Sequence, residues 1–568
     1  MDYLNQIKPT DCFAHRLLET RALENPNDTF FTFEGESYTF AQCNQTANRL
    51  ARNLLQAGIQ AGTYVAVLME TSVEYLHLWM ALSKLGAVSV PINTAYRGDI
   101  LTHVLKTCQA TVCVMDECFV GIVEEASAGF ESFAQVYVRA PEGRALSAGA
   151  KHFETLYSPN DDSNLVVAQR HDDTAVIIFT SGTTGPSKGV ILSHHYLTAY
   201  GLMYAEINGL KDDDVVMNFL PFFHIAAKFM TIGTLVSRGR MLLQKRLSIS
   251  TFWQEVKAHR VTNFIGVGGI CNMLISRPET ADDSKTTIRT IYAVPDPADI
   301  HAELERRFGC QITTVFGSTE AGLPLFRGVG DAYRPKSCGR VSPYYEVQIV
   351  DADDNPVPVG TTGEIVVRPK RPFLTGSGYI GMPERTITAW RNLWLHTGDS
   401  GHMDEDGWFY FDDRVSDSIR RRGENISSFE VEVLVNKHPA VSEAVAVATP
   451  SEIGEDEVLV QVILREGHTL RPEDLLKHCC EQMPYFMVPR FIGIVNDFPR
   501  TATAKVEKYR IRAASRSAQI WDREEQGWKV TREGLFDPQG QAVGSFSAPC
   551  HGSALAAPSQ KMAELVRD

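Results

Sequence analysis

The sequence predicts an α/β protein with a large N-terminal domain of helix-covered β-sheets and a smaller α+β C-terminal domain. Three observations indicate this architecture. The chain has 568 residues, which is too long for one ordinary domain. Short β-branched strand patterns alternate with helix patterns along most of the chain, as is typical of parallel sheets covered by helices. Near residue 413 this alternation gives way to charged runs and shorter elements.

The first elements are a hairpin and a series of strand–helix units. Residues 30–40 read as a hairpin that turns at Glu34-Gly35. Thr39 is then the N-cap of an amphipathic helix that ends at Gly58. The next predicted elements are a strand over 64–68, a helix over 72–85 and a strand over 87–91.

A glycine-rich segment follows the apolar strand predicted over 174–179. Residues 181–190 contain three glycines, four hydroxyl side chains and one lysine, Lys188. Glycines let the backbone approach a ligand and present successive N–H groups to it, and the lysine adds positive charge. This composition suits a polyphosphate-binding loop, although a flexible surface turn of small polar residues is the alternative. The Walker A spacing does not fit, because Lys188 directly follows Ser187.

Two later segments end in acidic residues. A strand over 312–316 runs into Gly317, Thr319 and Glu320, and the tripeptide 397–399 ends in Asp399. Taken alone, each pattern has a simpler interpretation: Glu320 would be a solvated loop carboxylate, and the tripeptide would be an ordinary turn. The glycines near 266–269 do not fit the dinucleotide-binding fingerprint, so the sequence gives no support to a Rossmann fold.

The C-terminal region is expected to contain a small domain and a tail. We place the N-terminal domain at 1–413, the C-terminal domain at 414–512 and the tail at 513–568. In the C-terminal domain, Ser427 and Glu430 have the spacing of a capping box at the start of a helix. The tail becomes rich in alanine, serine and proline after residue 544, and this end is expected to be disordered.

Composition excludes several classes of function. The net charge of −14 argues against nucleic acid as a main partner, because binding to a phosphate backbone favours a basic surface. We find neither an apolar signal core at the start nor an apolar stretch of the ~20 residues that a membrane span requires. The eleven cysteines are scattered without metal-ligand spacing, so we expect structural thiols in a cytoplasmic protein.

The segment SGTTGPSKG at 181–189 resembles the signature loop of the adenylate-forming enzymes. This superfamily comprises acyl- and aryl-CoA synthetases, peptide-synthetase adenylation domains and beetle luciferases. Further matches follow in the family's order and extend the resemblance to about residue 512: PFFH at 221–224, FGSTE at 316–320, TGD at 397–399 and PRTATAK at 499–505. The segment RRGENIS, which begins at Arg421, is most similar to the corresponding segment of the crotonobetaine/carnitine and fatty-acid CoA ligase branch.

The resemblance implies a role for each matched residue of the N-terminal domain. Glu320 would help to hold Mg²⁺, and Asp399 and Arg414 would reach the ribose. Phe316 would stack on adenine, at a place where the family usually has tyrosine. His224 would lie at the mouth of the acyl pocket, near the site of the thiol step. The residues expected to bind ATP or AMP are Thr180, Ser181, Gly182, Thr183, Thr184, Gly185, Lys188, Phe316, Gly317, Thr319, Asp399 and Arg414.

Two further residues of the C-terminal domain are assigned by the resemblance. Lys505 would bridge the substrate carboxylate and the phosphate, and it is the main catalytic candidate. Gly423 would let the pantetheine arm of CoA pass. In the family these two segments exchange places when the C-terminal domain rotates, so this domain is expected to be mobile. The family usually has glycine before the lysine and Asp or Lys at the hinge, whereas this chain has Ala504 and Ser416.

These residues together predict an ATP-dependent acid–thiol ligase that makes acyl-CoA by way of an acyl-adenylate. Mg²⁺ is the implied cofactor, with ATP and CoA as co-substrates and a small carboxylic acid as the partner. The alternatives are an adenylation enzyme that loads a carrier protein, a luciferase-like oxygenase and a non-catalytic ligand-binding relative. The acyl pocket is expected to include Phe222, Phe223, residues 266–271 and residues around Ala321-Gly322. The acid itself stays open, as does the oligomeric state, for which a homodimer is one alternative.

Overall fold

The computed structural model describes residues 8, 11–129, 133–180, 186–267, 270–414, 418–451, 454–499, 506, 508–515 and 520–544. The predicted α/β class is confirmed, with a large N-terminal part and a smaller C-terminal part. Among the described residues, no helix is both long enough and apolar enough to cross a membrane. Nine of the described cysteines are free thiols, and eight of these are buried.

A thirteen-stranded mixed sheet forms the larger layer of the described N-terminal part. Its central strands pair in parallel, as expected for strands connected by helices. In spatial order the strands are β17 (Tyr345–Val350), β18 (Gly363–Pro369), β19 (Leu395–Met403), β20 (Phe409–Arg414), β16 (Ser337–Val341), β15 (Gly322–Arg327), β14 (Gln311–Ser318), β13 (Thr290–Val294), β12 (Asn263–Val267), β10 (Val215–Asn218), β11 (Arg240–Leu243), β1 (Thr29–Phe33) and β2 (Glu36–Thr39).

A seven-stranded sheet forms the second layer. It is parallel except at one edge, where the last two strands form an antiparallel pair. In spatial order the strands are β7 (Ala150–His152), β6 (Gln135–Arg139), β5 (Val112–Asp116), β3 (Tyr64–Leu68), β4 (Val88–Pro91), β8 (Thr174–Thr180) and β9 (Lys188–Ser193).

The helices of the N-terminal part cover these sheets and join them into one core. They are α1 (Ala14–Glu24), α2 (Phe40–Gln56), α3 (Val73–Leu85), α4 (Gly98–Thr107), α5 (Val120–Ser127), α6 (His194–Ile207), α7 (Ile225–Ser237), α8 (Phe252–His259), α9 (Ile270–Ile275), α10 (His301–Phe308) and α11 (Pro383–Ala389). Helices α3, α6 and α7 are buried along almost their whole length. A single buried apolar cluster contains their side chains and those of strands from both sheets, so these helices tie the two layers together.

The first predicted elements are confirmed by their local geometry. The hairpin turns at Glu34 and Gly35, which both have positive φ. Thr39 caps α2 in a capping box with Gln42, and the positive φ of Gly58 follows the end of that helix. The strand over 64–68 and the helix that precedes Gly86 are also found where they were predicted. Local capping and turn chemistry therefore position these elements.

The C-terminal part contains separate, smaller sheets. A two-stranded sheet comprises β21 (Ser418–Arg421) and β22 (Glu424–Ser427), and a four-stranded sheet has the order β23 (Val441–Pro450), β24 (Asp456–Leu464), β25 (Phe491–Val495) and β26 (Ile520–Asp522). A three-stranded sheet follows with β27 (Lys529–Val530), β28 (Leu535–Phe536) and β29 (Ala542–Gly544). The helices are α12 (Ser428–Val435), α13 (Pro472–Gln482) and α14 (Lys508–Ala513). Strands β26 to β29 thus belong to the segment assigned to the tail; its predicted disorder after 544 lies outside the described residues.

The two faces of the four-stranded sheet carry different segments of the C-terminal part. Alternate residues of β23 point to opposite faces, as the strand geometry requires. Val447 belongs to an apolar cluster with Ile511, and Val506 packs against this cluster. Ala446 belongs to a different cluster, which contains Ile426 of the β21–β22 hairpin. The chain next to Lys505 and the hairpin that contains Gly423 are therefore packed on opposite faces of one sheet.

Candidate active site

A cavity of about 1220 Å³ lies where the N-terminal and C-terminal parts meet. One side is formed by the ends of strands β8, β14 and β19 and by the loop after β10. The other side is formed by the hairpin β21–β22 and residues 484–485. The carboxyl ends of parallel strands are the usual position of ligand sites in α/β sheets. The predicted site residues that line the cavity are Thr180, Lys188, His224, Gly317, Thr319, Glu320, Asp399 and Gly423.

The glycine-rich loop connects the antiparallel strands β8 and β9. Thr180 at the end of β8 is paired in register with Lys188 at the start of β9. The Lys188 ammonium lies 4.8 Å from the ring centroid of Tyr379. Tyr379, which the sequence analysis did not identify, lines the cavity beside them. The predicted residues Ser181, Gly182, Thr183, Thr184 and Gly185 lie outside the described part of the chain.

Glu320 lies in the turn that joins β14 to β15. The two strands approach closely there because residue 317 is glycine: a Cβ atom on Gly317 would lie 2.2 Å from the carbonyl oxygen of Gly322. The Oε1 atom of Glu320 accepts hydrogen bonds from Tyr379 Oη at 3.1 Å and from Thr180 Oγ1 at 3.3 Å. Burial, followed by the charge of Glu320, raises the pKa of Tyr379, so this phenol stays a donor. Glu320 is thus oriented by Thr180 of the hairpin that carries the glycine-rich loop and by Tyr379, which forms a β-bridge with Val190 of the same hairpin.

The other residues of the 316–320 motif have different surroundings. Thr319 lines the cavity, and its carbonyl oxygen accepts a hydrogen bond from Tyr196 at 2.8 Å. Phe316 is not among the residues that line the cavity. Its ring is 8% exposed and belongs to an apolar cluster with Leu325 and Ile365. The stacking of Phe316 on adenine stays a prediction that this arrangement does not favour.

The predicted ribose site is formed by the neighbouring strands β19 and β20. Asp399 is paired in register with Arg414, so the two residues lie directly opposite each other on neighbouring strands. The side chain of Arg414 lies outside what the structure describes. The backbone N–H of Asp399 donates to Thr397 Oγ1 at 3.1 Å, and this hydroxyl donates to the carbonyl oxygen of Ile365 at 2.7 Å. The turn that presents Asp399 to the cavity is therefore held by its own threonine.

His224 and the C-terminal hairpin face each other across the cavity. His224 is the N-cap residue of α7, and its Nε2 atom lies 3.5 Å from Oε2 of Glu424. Gly423 has a φ of +80°, which strongly favours glycine. The Glu455 carboxylate accepts from the backbone N–H groups of Arg422 and Gly423 and fixes this turn. The described arrangement therefore brings Gly423 to the cavity. Lys505 lies outside the described residues.

One side of the cavity has aromatic walls. Phe223, Phe229 and Tyr292 line it, and the ring of Phe229 stacks on Tyr200 at a centroid distance of 4.6 Å. Ile270, within the predicted 266–271 segment, also lines it. These residues make an apolar compartment next to His224.

Phe222 is buried behind this wall rather than exposed in it, which corrects its predicted place in the acyl pocket. The Lys228 ammonium lies over the rings of Phe222, Tyr75 and Trp79, at 4.6 Å from the Trp79 centroid. It has no hydrogen-bond partner among the described residues, and burial lowers the pKa of Lys228 to about 7. In the sequence, the signal for this buried lysine was a single charged residue within the apolar run IAAKFM at 225–230.

Glu430 connects the C-terminal part to the glycine-rich loop. The predicted cap is confirmed on one side, because Ser427 Oγ accepts from the backbone N–H of Glu430 at 3.3 Å. The reciprocal bond of a capping box is replaced: the Glu430 carboxylate accepts from Ser187 N–H at 2.9 Å and from Ser187 Oγ at 2.8 Å. Both residues are buried. Sequence spacing alone does not distinguish a local partner from one in another domain.

Replacing Glu430 with glutamine is expected to make stability less dependent on pH. Burial raises the pKa of the Glu430 carboxyl to about 7, and the Ser187 hydrogen bonds oppose this increase. The folded protein therefore holds this proton more tightly than the unfolded chain does. The resulting stabilisation is complete below the pKa of an exposed glutamate and is lost as the pH rises through about 7. Glutamine still accepts the Ser187 hydrogen bonds but does not titrate.

Thermal unfolding measured from about pH 5 to about pH 8 tests this expectation. The wild-type midpoint should fall with rising pH, by about 1 °C for each kcal/mol lost in a chain of this length, and the E430Q profile should be flatter. Glu432→Gln is the matched control, since Glu432 lies on the same helix but pairs with Lys508 at 2.8 Å. Equal slopes for the wild type and E430Q would contradict the assignment.

The fold and the cavity define the class of adenylate-forming enzymes, which activate an acid as its adenylate. The chain matches the AMP-binding enzyme family over residues 18–379 and the AMP-binding enzyme C-terminal domain over 430–505. It therefore belongs to the AMP-binding enzyme family.

Its similar proteins include several CoA ligases. The chain is 32% identical to the crotonobetaine/carnitine–CoA ligase of Salmonella typhi over 476 residues, which cover 83% of this chain and 92% of that protein. Apo MatB from Rhodopseudomonas palustris has a TM-score of 0.64 at 26% identity and covers 89% of this chain and 98% of its own. The o-succinylbenzoate CoA synthetase of Bacillus subtilis shares the fold, with a TM-score of 0.77 at 22% identity over 89% of this chain and 99% of its own.

Proposed function

We propose that this protein is an ATP-dependent acid–thiol ligase that makes acyl-CoA in two steps within one cavity. In the first step, a carboxylate oxygen attacks the α-phosphorus of ATP, and pyrophosphate leaves. In the second step, the sulfur of CoA attacks the acyl carbon, AMP leaves and the thiol proton is released. One observation carries this proposal: the same cavity is lined by Thr180, Lys188, Glu320 and Asp399 on one side and by Gly423 on the other.

The first step needs groups that hold a triphosphate and a ribose. Lys188 provides positive charge at the glycine-rich loop, and Thr180 and Thr319 are the adjacent hydroxyl residues. Asp399 would accept hydrogen bonds from the ribose hydroxyls, the role of acidic residues in dinucleotide folds. Lys505 would stabilise the charge that develops on the carboxylate and the phosphate during attack.

Glu320 is compatible with a magnesium ion that arrives with the nucleotide. Its Oε1 atom accepts from Thr180 and Tyr379, and among the described residues the second carboxylate oxygen is left for a ligand. No group of three or more His, Cys, Asp or Glu residues within the described ranges is arranged to hold a metal. Mg²⁺ suits such a site, because it binds through one or two carboxylates, substrate phosphates and water. When bound, it would neutralise phosphate charge.

The second step needs a passage for a thiol that reaches the acyl carbon. Gly423 lines the cavity without a side chain, opposite His224. The contact between His224 and Glu424 ties the N-terminal wall of this passage to the C-terminal hairpin. The arrangement described here therefore favours the thiol step over the adenylation step.

The aromatic compartment favours an acid with an apolar tail. Tyr200, Phe229 and Tyr292 offer apolar surface and ring faces. Such rings accommodate alkyl and aryl groups through burial, and they also attract quaternary ammonium groups. We infer that fatty or aryl acids are preferred and retain betaine acids as the competing class.

A pyrophosphate-release assay over fatty, aryl, sterol-type and betaine acids tests the proposed function. We expect ATP- and acid-dependent pyrophosphate release, and formation of an acyl-CoA when CoA is added. Pyrophosphate exchange without any acyl-CoA would favour an enzyme that loads a carrier protein. Failure to release pyrophosphate with every acid, in a folded preparation that binds ATP, would favour a non-catalytic relative.

A further inference from the structure

The segment after the C-terminal family domain is built into the small domain. The family match ends at residue 505, whereas β26 adds to the edge of the four-stranded sheet by pairing with β25. The side chains of Arg490 and Asp522 form an ion pair at 3.0 Å across these strands. Residues 520–544 are therefore positioned by backbone and side-chain bonds rather than attached loosely.

This segment places Arg532 at the tip of a tight turn. Thr531 N–H donates to the carbonyl oxygen of Gly534 at 3.0 Å and closes the turn between β27 and β28. Val530 and Leu535, on either side, are buried in the apolar cluster of the small domain. The flanking strands hold the turn in place, and Arg532 itself is exposed.

The Arg532 side chain is oriented toward the cavity by Tyr485. Its Nε atom donates to Tyr485 Oη at 3.0 Å, and its guanidinium carbon lies 5.5 Å from the centroid of that ring. Both residues line the cavity. Within the described ranges, no carboxylate lies at ion-pair distance from Arg532. Its remaining N–H donors therefore have no anionic partner among those residues.

Arg532 is one of several basic residues that line the cavity. Arg420 and Arg422 line the cavity from the small domain, and Lys245 and Arg246 line it from the N-terminal part. The acidic residues nearby are already engaged. Glu455 accepts from the backbone of the Gly423 turn, and Glu424 contacts His224. The described lining of the cavity has nine Arg and Lys residues against six Asp and Glu residues. This excess of positive charge occurs in a chain whose net charge is −14, so it favours an anionic ligand.

We propose that Arg532 binds a phosphate group of the thiol co-substrate, so that the segment beyond the family domain completes the CoA site. This inference rests on the proposed function. Arginine suits the role, because its planar guanidinium can donate two parallel hydrogen bonds to one phosphate. Arg422 adjoins Gly423, so the positive charges lie next to the passage and can hold the phosphate end while the thiol enters. Tyr485 is a positioning residue that fixes the guanidinium.

The kinetic test compares CoA with pantetheine, a thiol that lacks the phosphates. Arg532→Ala is expected to raise KM for CoA by roughly 10- to 100-fold, the effect of losing a hydrogen-bonded charge contact. KM for pantetheine should change little. Arg532→Lys should restore part of the affinity for CoA, and Tyr485→Phe should have an intermediate effect. Arg471→Ala is the matched control, since Arg471 is an exposed arginine of the same domain that pairs with Asp474 at 2.8 Å.

Two kinetic results would overturn the proposal: an unchanged KM for CoA in Arg532→Ala, or an equal loss with both thiols, which indicates a structural role. A wild type that uses neither thiol would instead refute the proposed acceptor. In that case, calorimetry with 3′-phospho-ADP, the phosphate-bearing part of CoA, tests the role of Arg532. This measurement of binding needs no turnover. At least about 10-fold weaker binding to Arg532→Ala supports the assignment, and equal affinity overturns it.

Discussion

Replacing Lys505 with alanine is expected to slow adenylate formation by about 100- to 1000-fold, the usual cost of losing one group that stabilises transition-state charge. The second step, started from supplied acyl-adenylate and CoA, should retain most of its rate. The reason lies in the four-stranded sheet of the small domain. Val506, next to Lys505, packs on one face, and the hairpin of Gly423 packs on the other. We therefore expect each face to serve the cavity only when the other is turned away.

Separate assays of the two half-reactions check this prediction. Pyrophosphate release without CoA measures the first step, and thioester formation from synthetic acyl-adenylate measures the second. Lys508→Ala is the matched control, because Lys508 lies three residues further on and bonds to Ser428 and Glu432 within the small domain. If both half-reactions of a folded K505A protein fell equally, the assignment of Lys505 to the first step would be wrong.

Replacing Gly423 with leucine is expected to have the opposite effect. A Cβ atom at this position would lie 3.8 Å from Val267 Cγ2, so a methyl group fits but a larger side chain extends into the thiol passage. The φ of +80° adds strain of about 1–2 kcal/mol for any L-residue with a side chain. The thiol step should therefore slow by about 100-fold or more, since small displacements of a reacting group cost that much. Adenylate formation should be nearly unchanged.

Three variants separate obstruction from strain in this experiment. Gly423→Ala introduces the strain with little obstruction and should show a smaller loss in the thiol step. Gly467→Leu is the matched control, because Gly467 has a φ of +75° and no atom within 4 Å of an added Cβ. Its half-reactions should match those of the wild type. A G423L protein with a normal thiol step would show that the thiol enters elsewhere.

Local structure was predictable where neighbouring residues determine it. Thr39 and Ser72 cap their helices within one turn, and Gly58 and Gly86 end them through positive φ. Most of the described residues that the sequence analysis assigned to the site also line the cavity, because family motifs mark the ends of the strands that meet there. The pairing order of the large sheet was not predictable in this way. Strand β1 pairs with β11, more than two hundred positions later in the chain, and no local pattern encodes that choice.

The missed features depend on distant partners. Glu430 has the spacing of a local cap, but its carboxylate bonds to Ser187 of the N-terminal part. The ring of Phe316 joins the apolar cluster of strands β15, β17 and β18, a contact that its motif does not reveal, and its stacking on adenine stays a prediction. The strands after residue 520 are only two or three residues long, so they show no periodicity that could reveal them. In each case tertiary packing decides what the local pattern leaves open.

The bond between Ser187 and Glu430 implies competition. A hydroxyl has one proton to donate, and Ser187 gives it, together with its backbone N–H, to a carboxylate of the other domain. An anion that accepts hydrogen bonds from those two donors must first displace Glu430. When the anion dissociates, the donors can bond to Glu430 again. Triphosphate and pyrophosphate should therefore oppose this arrangement of the domains, whereas a ligand without terminal phosphates should tolerate it. Release of pyrophosphate would then itself favour this arrangement of the domains, in which the second reaction is expected to occur.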